Sequence, residues 1–222
     1  MLREVDLSSV SDGKIYHADD MAALGCHDCE GCSSCCHDME GLFLDPYDVF
    51  MLSSGTNRSF ESLLSRELTL DHHGGLFLPK MKMDDARKAC HFLNEQGRCS
   101  VHAYRPGICR IFPLGRNYED GDFSYFLQKD ECAVKKRYKV KIKKWIEIPD
   151  YRKYHAFVLK WHDFSGKVGE KLPALTEESI RSVVLYVLRV FYEMPYRGSD
   201  FFQEFDERME KAEQALSALF NA

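Results

Sequence analysis

Cys26-His-Asp-Cys29-Glu-Gly-Cys32-Ser-Ser-Cys35-Cys36 is the run that decides how the first half of this chain is built, because it places five cysteines within eleven residues. Thiolates three residues apart on a tight turn converge on one ion or cluster. The sequence therefore predicts a metal centre. Four further cysteines follow at wider intervals: Cys90, Cys99, Cys109 and Cys132.

Disulfide bonds are the alternative use for so many cysteines. The residues before the run, MLREVDLSSVSDGKIYHADD, contain no apolar stretch typical of a signal peptide. The best candidate for a membrane span, VVLYVLRVF, is short and carries Arg189. We therefore expect a cytoplasmic chain with no membrane insertion, in a compartment where closely spaced cysteines bind metal. The number of cysteines is nine, which leaves one thiol unpaired in any complete set of disulfides.

The composition indicates an ordered, slightly acidic chain. Hydrophobic residues make up 45% of the sequence, enough to bury a core in one domain with a helical extension. The net charge is −5 with the histidines neutral, which disfavours a general nucleic-acid-binding surface. No Ser-His-Asp set, P-loop, paired-carboxylate motif or nucleotide-binding glycine loop can be read from the sequence, so no motif indicates an enzyme class.

The predicted fold class is α+β: a small cysteine-rich metal-binding module with short strands, followed by a predominantly helical C-terminal part. Residues 1–25 are interpreted as a polar lead-in, residues 26–134 as the module and residues 135–222 as a helical extension that packs on it.

Cap and turn residues predict the first elements of the module. Asp45-Pro46 predicts a helix that continues through about Leu52 and is stopped by Gly55, and Ser59 begins a second short helix. Beyond a surface turn at residues 72–75, the stretch 76–83 predicts an edge or bent strand, because Pro79 interrupts it.

The widely spaced cysteines fall on the next predicted elements. Residues 90–101 predict a β-hairpin with its turn near residues 95–97, which would bring Cys90 and Cys99 together. Residues 105–107 begin a turn or short helix that carries Cys109. Residues 123–127 predict a further strand just before Cys132.

From about residue 139 the chain is predicted to be helical. Two apolar stripes have helical spacing: Ile180, Val183, Val184, Val187, Leu188 and Phe191 in one helix, and Phe202, Phe205, Met209, Ala212, Leu216 and Leu219 in the last. We expect the last stripe to pack on the chain's own core, and a homodimer through this helix is the alternative.

The cysteine spacing predicts two metal centres. Adjacent cysteines in an extended or turn backbone point in opposite directions, so Cys35 and Cys36 are expected to serve different metals or different edges of a cluster. Eight ligands make two sites of four, which suits tetrahedral zinc and [4Fe–4S] equally. Spacing alone does not assign each ligand to a site.

The cysteine spacing favours an iron–sulfur cluster over zinc. Cys26, Cys29, Cys32 and Cys36 match the ferredoxin spacing C-x2-C-x2-C-x3-C, although Cys35 interrupts the last gap and His37 replaces the usual proline. Zinc modules usually show two separated CxxC pairs, whereas the later cysteines here are single.

The same residues carry a resemblance to a known family. Residues 29–36 resemble the CxxCxxCC signature of the YkgJ-like zinc- or iron-chelating cysteine-cluster proteins. The stretch ACHFLNEQGRCSVHAYRPGICRIFP is similar to that family's second block, with Val101-His102 where the family has Ile-Tyr. The resemblance covers residues 29–132 and leaves Cys26 as an extra cysteine. It implies eight metal ligands: Cys29, Cys32, Cys35, Cys36, Cys90, Cys99, Cys109 and Cys132.

Three functions follow as hypotheses. The first is a redox or radical-type enzyme, or an electron carrier, that uses iron–sulfur clusters. The second is a non-catalytic module that zinc stabilises and that binds a partner protein. The third is a protein-modifying enzyme, because flagellin lysine methylases contain a domain similar to this family's; however, no glycine-rich methyl-donor loop is found in the sequence.

Charged residues near the cysteines have two interpretations each. Arg105, Arg110 and Arg116 either offset cluster charge and hold an anionic substrate, or pair with carboxylates. The basic run 135–144 is interpreted as a solvated helix face, with a docking patch for an acidic protein or an RNA backbone as the alternative. The cysteines suffice by number, so four histidines beside them are not expected to be ligands: His27, His37, His91 and His102.

Overall fold

The computed structural model describes residues 7–25, 33–132, 134 and 137–220. The strands in this part of the chain are β1 (Ser11–Tyr16), β2 (Met21–Gly25), β3 (Leu68–His73), β4 (Leu76–Met81), β5 (Met83–Asp84), β6 (Ala89–Cys90), β7 (Leu114–Glu119), β8 (Asp122–Gln128) and β9 (Tyr138–Lys141). The α-helices are α1 (Leu7–Val10), α2 (Pro46–Thr56), α3 (Phe60–Leu64), α4 (Gly107–Ile111), α5 (Ile142–Ile146), α6 (Tyr151–Lys171), α7 (Glu177–Leu188) and α8 (Phe201–Phe220).

The strands form small antiparallel sheets and the long helices follow them, which confirms the predicted α+β class. One sheet has three strands in the order β1-β8-β7, and three pairs complete the set: β2-β9, β3-β4 and β5-β6. The N-terminal strands thus pair with distant segments, since β1 lies on β8 and β2 lies on β9.

The N-terminal caps of α2 and α3 are those that the sequence predicts. Asp45 accepts a hydrogen bond from the backbone N–H of Asp48, and Asp48 accepts one from that of Asp45, a reciprocal capping box with proline at the first helical position. The hydroxyl of Ser59 caps α3. Gly55 does not stop α2, which continues to Thr56 and ends at a left-handed Asn57. Instead, Gly55 makes room for a neighbour, because a Cβ there would lie 2.1 Å from the Tyr104 ring.

One predicted turn in the strand region is wrong, and the predicted hairpin is shorter than expected. Residues 72 and 73 are the last residues of β3, and Gly74-Gly75 alone makes the turn to β4. Residues 90–101 do fold back at the predicted turn: Leu93 bridges Cys99, the Asn94 N–H donates to the Arg98 carbonyl and the Ser100 N–H donates to that of Phe92. Asn94 holds the turn by accepting hydrogen bonds from two of its backbone N–H groups. The pairing does not extend to Cys90, which pairs with Met83 of β5 instead.

The helical part encloses an aromatic core. Phe157 of α6 meets Phe205 of α8 edge-on at 4.6 Å, and Trp161 meets Phe191 at 5.2 Å. Each fully buried phenylalanine of this kind contributes about 1.5–3 kcal/mol through apolar burial. The apolar stripe of α8 is buried against the chain's own core at Phe205, Met209, Ala212 and Leu216.

A π-helical turn, Arg189–Glu193, follows α7 and lets the adjacent Phe191 and Tyr192 both face the core. The Tyr192 hydroxyl donates to the carbonyl of Leu44, 148 residues earlier, so the helical part is bonded to the module. None of the helices in the described residues combines the length and apolar character needed to cross a bilayer.

The basic run is helical over only part of its described residues. Residues 138–141 are strand β9, whereas Lys143 and Lys144 lie in α5, which begins at Ile142. Lys141 and Lys143 both form ion pairs with Asp19, at 3.0 and 2.7 Å. A run of lysines has the same composition on a strand as on a helix, so the sequence could not distinguish the two.

Candidate metal centre

Four separate segments bring five of the predicted ligands into one region. Cys35 and Cys36 lie in a 3-10 turn, Ser34–Cys36. The next residues bond to the strand that carries Cys90, since His37 forms a bridge with Ala89 and the Asp38 N–H donates to the Lys88 carbonyl at 2.8 Å. Cys99 lies at the far end of the loop that begins at Cys90.

Cys109 is the fifth thiol and comes from α4. The electrostatic contacts of its thiol reach Cys35, Cys90 and Cys99. The predicted convergence of Cys90 and Cys99 is therefore confirmed, although the hairpin between them is shorter than predicted.

The thiols perturb one another because they are crowded and shielded from water. Burial and the neighbouring thiols of Cys99 and Cys35 raise the pKa of Cys90 to about 11. Burial is also the main cause that raises the pKa of Cys109 and of Cys99. Cys36 donates a hydrogen bond to the sulfur of Cys35, which raises the pKa of Cys36 and lowers that of Cys35.

This donor set fits a thiolate-bound metal. Four of the five thiols hold their protons because an added negative charge is penalised in this environment. A bound metal supplies the missing positive charge and deprotonates the thiols that coordinate it. The environment therefore disfavours free thiolates unless a cation compensates their charge.

The remaining predicted ligands are placed less fully. Cys29 and Cys32, and the extra Cys26, lie outside the described residues. Cys132 follows β8 and is half-buried, and none of the electrostatic contacts of the five thiols in the described part involves it. Within residues 7–25, 33–132, 134 and 137–220, no group of three or more His, Cys, Asp or Glu side chains is arranged to hold an ion. The five thiols are gathered without forming a closed shell among themselves.

A buried carboxylate holds the helix that carries Cys109. Asp48 is 3% exposed, and its Oδ1 accepts the Gly107 N–H at 2.6 Å. The Tyr154 hydroxyl of α6 lies on the other side of Gly107, so close that a Cβ on Gly107 would be 2.2 Å from it. The start of α4 is thus fixed between α2 and α6.

Arg110 fixes the same helix from another direction. Its guanidinium, in a residue only 4% exposed, donates to the carbonyls of Arg105, Ala103, Ile146 and Glu147. These four acceptors are backbone oxygens, so Arg110 joins α4 to the end of α5. The interpretation of Arg110 as a pair for carboxylates, or as a substrate ligand, is replaced by this structural role.

The other two arginines have different surroundings. Arg105 lies 3.5 Å from Glu147 and 3.1 Å from the His102 ring. Its charge adds to the hydrogen bond from Cys36 in lowering the pKa of Cys35, and it partly opposes the burial that raises the pKa of Cys99. Arg105 therefore offsets negative charge on the thiols. Arg116 donates to the Tyr154 hydroxyl at 2.7 Å and lies against the Phe123 ring.

Sequence reasoning missed Asp48 and Tyr154 as parts of this region. The capping-box spacing after Asp45 indicates that Asp48 bonds locally. No sequence signal indicates its bond to Gly107, because the two residues are 59 positions apart. Of the histidines near the cysteines, His37 lies 3.4 Å from the Ser33 hydroxyl and His102 contacts Arg105, while His27 lies outside the described residues.

Comparison with known proteins gives one match. The family model CxxCxxCC, described as a "putative zinc- or iron-chelating domain", matches residues 28–138, which is half of the chain. The matched span includes eight of the nine cysteines and excludes Cys26. No curated protein and no solved structure matches the chain.

Proposed function

The chain belongs to the CxxCxxCC family of zinc- or iron-chelating domains, and on that premise we propose that it binds iron–sulfur clusters and acts as a redox protein. The observation that carries the proposal is the gathering of five thiols from four segments: Cys35, Cys36, Cys90, Cys99 and Cys109. Crowded, shielded thiols can act as thiolate ligands only if a cation compensates their charge.

The proposed ligands number eight and form two centres. They are Cys29, Cys32, Cys35, Cys36, Cys90, Cys99, Cys109 and Cys132. Cys35 and Cys36 are adjacent, which supports a role for each at a different centre or a different edge of one cluster. Cys26 is outside the family match and is not part of this set.

Iron–sulfur is favoured over zinc by the sequence run. The proposed ligands are a dense C-x2-C-x2-C-C run followed by single cysteines, whereas zinc modules usually show two separated CxxC pairs. When bound, an iron–sulfur cluster supplies one-electron chemistry, which zinc does not. The chain's own contribution is to shield the site and to offset its charge with Arg105.

The second candidate function is a zinc-stabilised interaction module with no catalysis. The thiol-only character of the five gathered donors supports it, since closed structural zinc sites use four cysteines. The short two-stranded sheets around these cysteines also support it, because a metal can replace part of a small core.

Purification without oxygen from an iron-supplemented culture, with metal analysis and an absorption spectrum, tests the proposal. We expect brown protein that bleaches with dithionite. Colourless protein with stoichiometric zinc from that culture would contradict the redox proposal and favour the second candidate. Protein made in air is not decisive, because thiolate sites accept both metals.

A further inference from the structure

The carboxylate of Asp48 bonds two segments that are remote in sequence. Its Oδ2 accepts the Asp45 N–H at 3.2 Å, and its Oδ1 accepts the Gly107 N–H at 2.6 Å. The first bond completes the cap of α2, whereas the second reaches the first residue of α4. Because Asp48 is 3% exposed, water does not replace either bond when it is lost.

Gly107 connects the Asp48 carboxylate to the helix that carries the Cys109 thiol. It lies two residues before Cys109 in a helix of only five residues, Gly107–Ile111. In so short a helix, the position of the first turn sets the direction of each side chain. The Cys109 N–H and the Arg110 N–H both donate to Pro106 at 3.0 Å, so this turn moves as one unit.

Tyr154 packs against the opposite side of the first turn of α4. The Tyr154 hydroxyl sits against Gly107 and accepts a hydrogen bond from Arg116 at 2.7 Å. Arg110 bonds backbone carbonyls beyond it. Asp48 is the one contact among these that fixes the first backbone N–H of α4.

We infer that Asp48 is a positioning residue for the metal centre: by accepting the Gly107 N–H, its carboxylate aims the Cys109 thiol at the other cysteines. The inference rests on the proposed function, since it requires that these cysteines bind metal. Partners that orient metal ligands in this way typically change metal affinity about 10–100-fold when they are removed.

The test compares Asp48→Ala with Asp45→Ala, a matched control. Both substitutions break the capping box of α2, but only Asp48→Ala removes the bond to Gly107. Each full-length variant is loaded with Co²⁺ without oxygen, and two quantities are measured: the intensity of thiolate-to-cobalt charge-transfer absorption and the rate of cobalt release to a chelator. Unfolding by urea is followed in the same samples.

We expect Asp48→Ala to lose more stability than Asp45→Ala, because it also leaves the buried Gly107 N–H without a partner. Asp48→Ala should release cobalt about 10–100-fold faster with weaker charge-transfer absorption, while Asp45→Ala should match the parent in both quantities. Equal release rates in the two variants would overturn the inference and leave the proposed function standing. A parent chain that binds no cobalt would overturn the proposed function itself. If Asp48→Ala does not fold, Asp48→Asn replaces it. The single side-chain oxygen of asparagine must then accept from both the Asp45 and the Gly107 N–H groups. Cobalt release faster than in Asp45→Ala is again required.

Discussion

Substituting Gly107 by alanine tests the packing behind the cysteine cluster. The new Cβ would lie 2.2 Å from the Tyr154 hydroxyl, whereas its next neighbours, an Asp48 oxygen and a Tyr154 ring carbon, are 3.4 Å away. One atom therefore causes nearly all of the clash. Overpacking of this kind costs about 1–3 kcal/mol, and we expect a value of about 2–3 kcal/mol because buried neighbours surround the site.

Removing the hydroxyl should remove the clash. Tyr154→Phe alone loses the hydrogen bond from Arg116 and costs about 1.5–3 kcal/mol. In the Tyr154→Phe background, alanine at position 107 meets only contacts of 3.4 Å, an ordinary van der Waals distance. We therefore expect the double variant to be no less stable than Tyr154→Phe, which makes the coupling energy about 2 kcal/mol or more.

The assay is urea unfolding of the parent, both single variants and the double variant at one fixed concentration of free metal, because bound metal shifts apparent stability. Midpoints are compared only where the slopes agree. Additive losses in the double variant would refute the reasoning, and so would a Gly107→Ala variant as stable as the parent.

Three further predictions concern pH, a helix end and the extra cysteine. Burial lowers the pKa of His73 to about 4, so between that value and about 6.5 the unfolded chain binds a proton that the folded chain does not. The free energy of unfolding should therefore fall as the pH drops from about 6.5 towards 4. In urea unfolding, His73→Gln should flatten this profile, whereas the control His17→Gln, at an exposed histidine, should not. Arg208 donates to three carbonyls at 2.6, 2.7 and 2.9 Å at the end of the π-helical turn. Arg208→Ala should therefore lower the free energy of unfolding by on the order of 3 kcal/mol, whereas Lys211→Ala, at an exposed lysine, should lower it by about 0.5 kcal/mol or less. Equal losses in the two variants would contradict this role. Cys26→Ser should keep the metal content of the parent by elemental analysis, and loss of one whole equivalent would support the ferredoxin spacing instead.

Local signals predicted the elements that depend on a few neighbouring residues. Asp45-Pro46 predicted the start of α2, and residues 105–107 predicted the short helix that carries Cys109. The spacing of apolar residues also predicted that the stripe of α8 faces the chain's own core. Each of these depends on caps or periodicity, which are visible within one or two turns of the chain.

Pairings between remote segments could not be predicted. Ser11 is the one buried residue of β1, so β1 shows no alternation and its pairing with β8 has no signal. Cys90 pairs with Met83, outside the short hairpin of residues 92–100, and no local signal indicates this pairing. The bond from Asp48 to Gly107 depends on the tertiary fold alone. Five of the eight predicted ligands lie in one region of the described chain, and no sequence signal placed the Asp48 carboxylate beside the helix that carries one of them.

X-ray absorption at the metal edge of protein purified without oxygen tests the central claim most directly, because it identifies the ligand atoms whichever metal is bound. Thiolate ligation predicts a first shell of sulfur only, about four atoms per metal at roughly 2.3 Å. A first shell that contains nitrogen or oxygen from the protein, or a fully folded chain that carries no metal, would contradict the account.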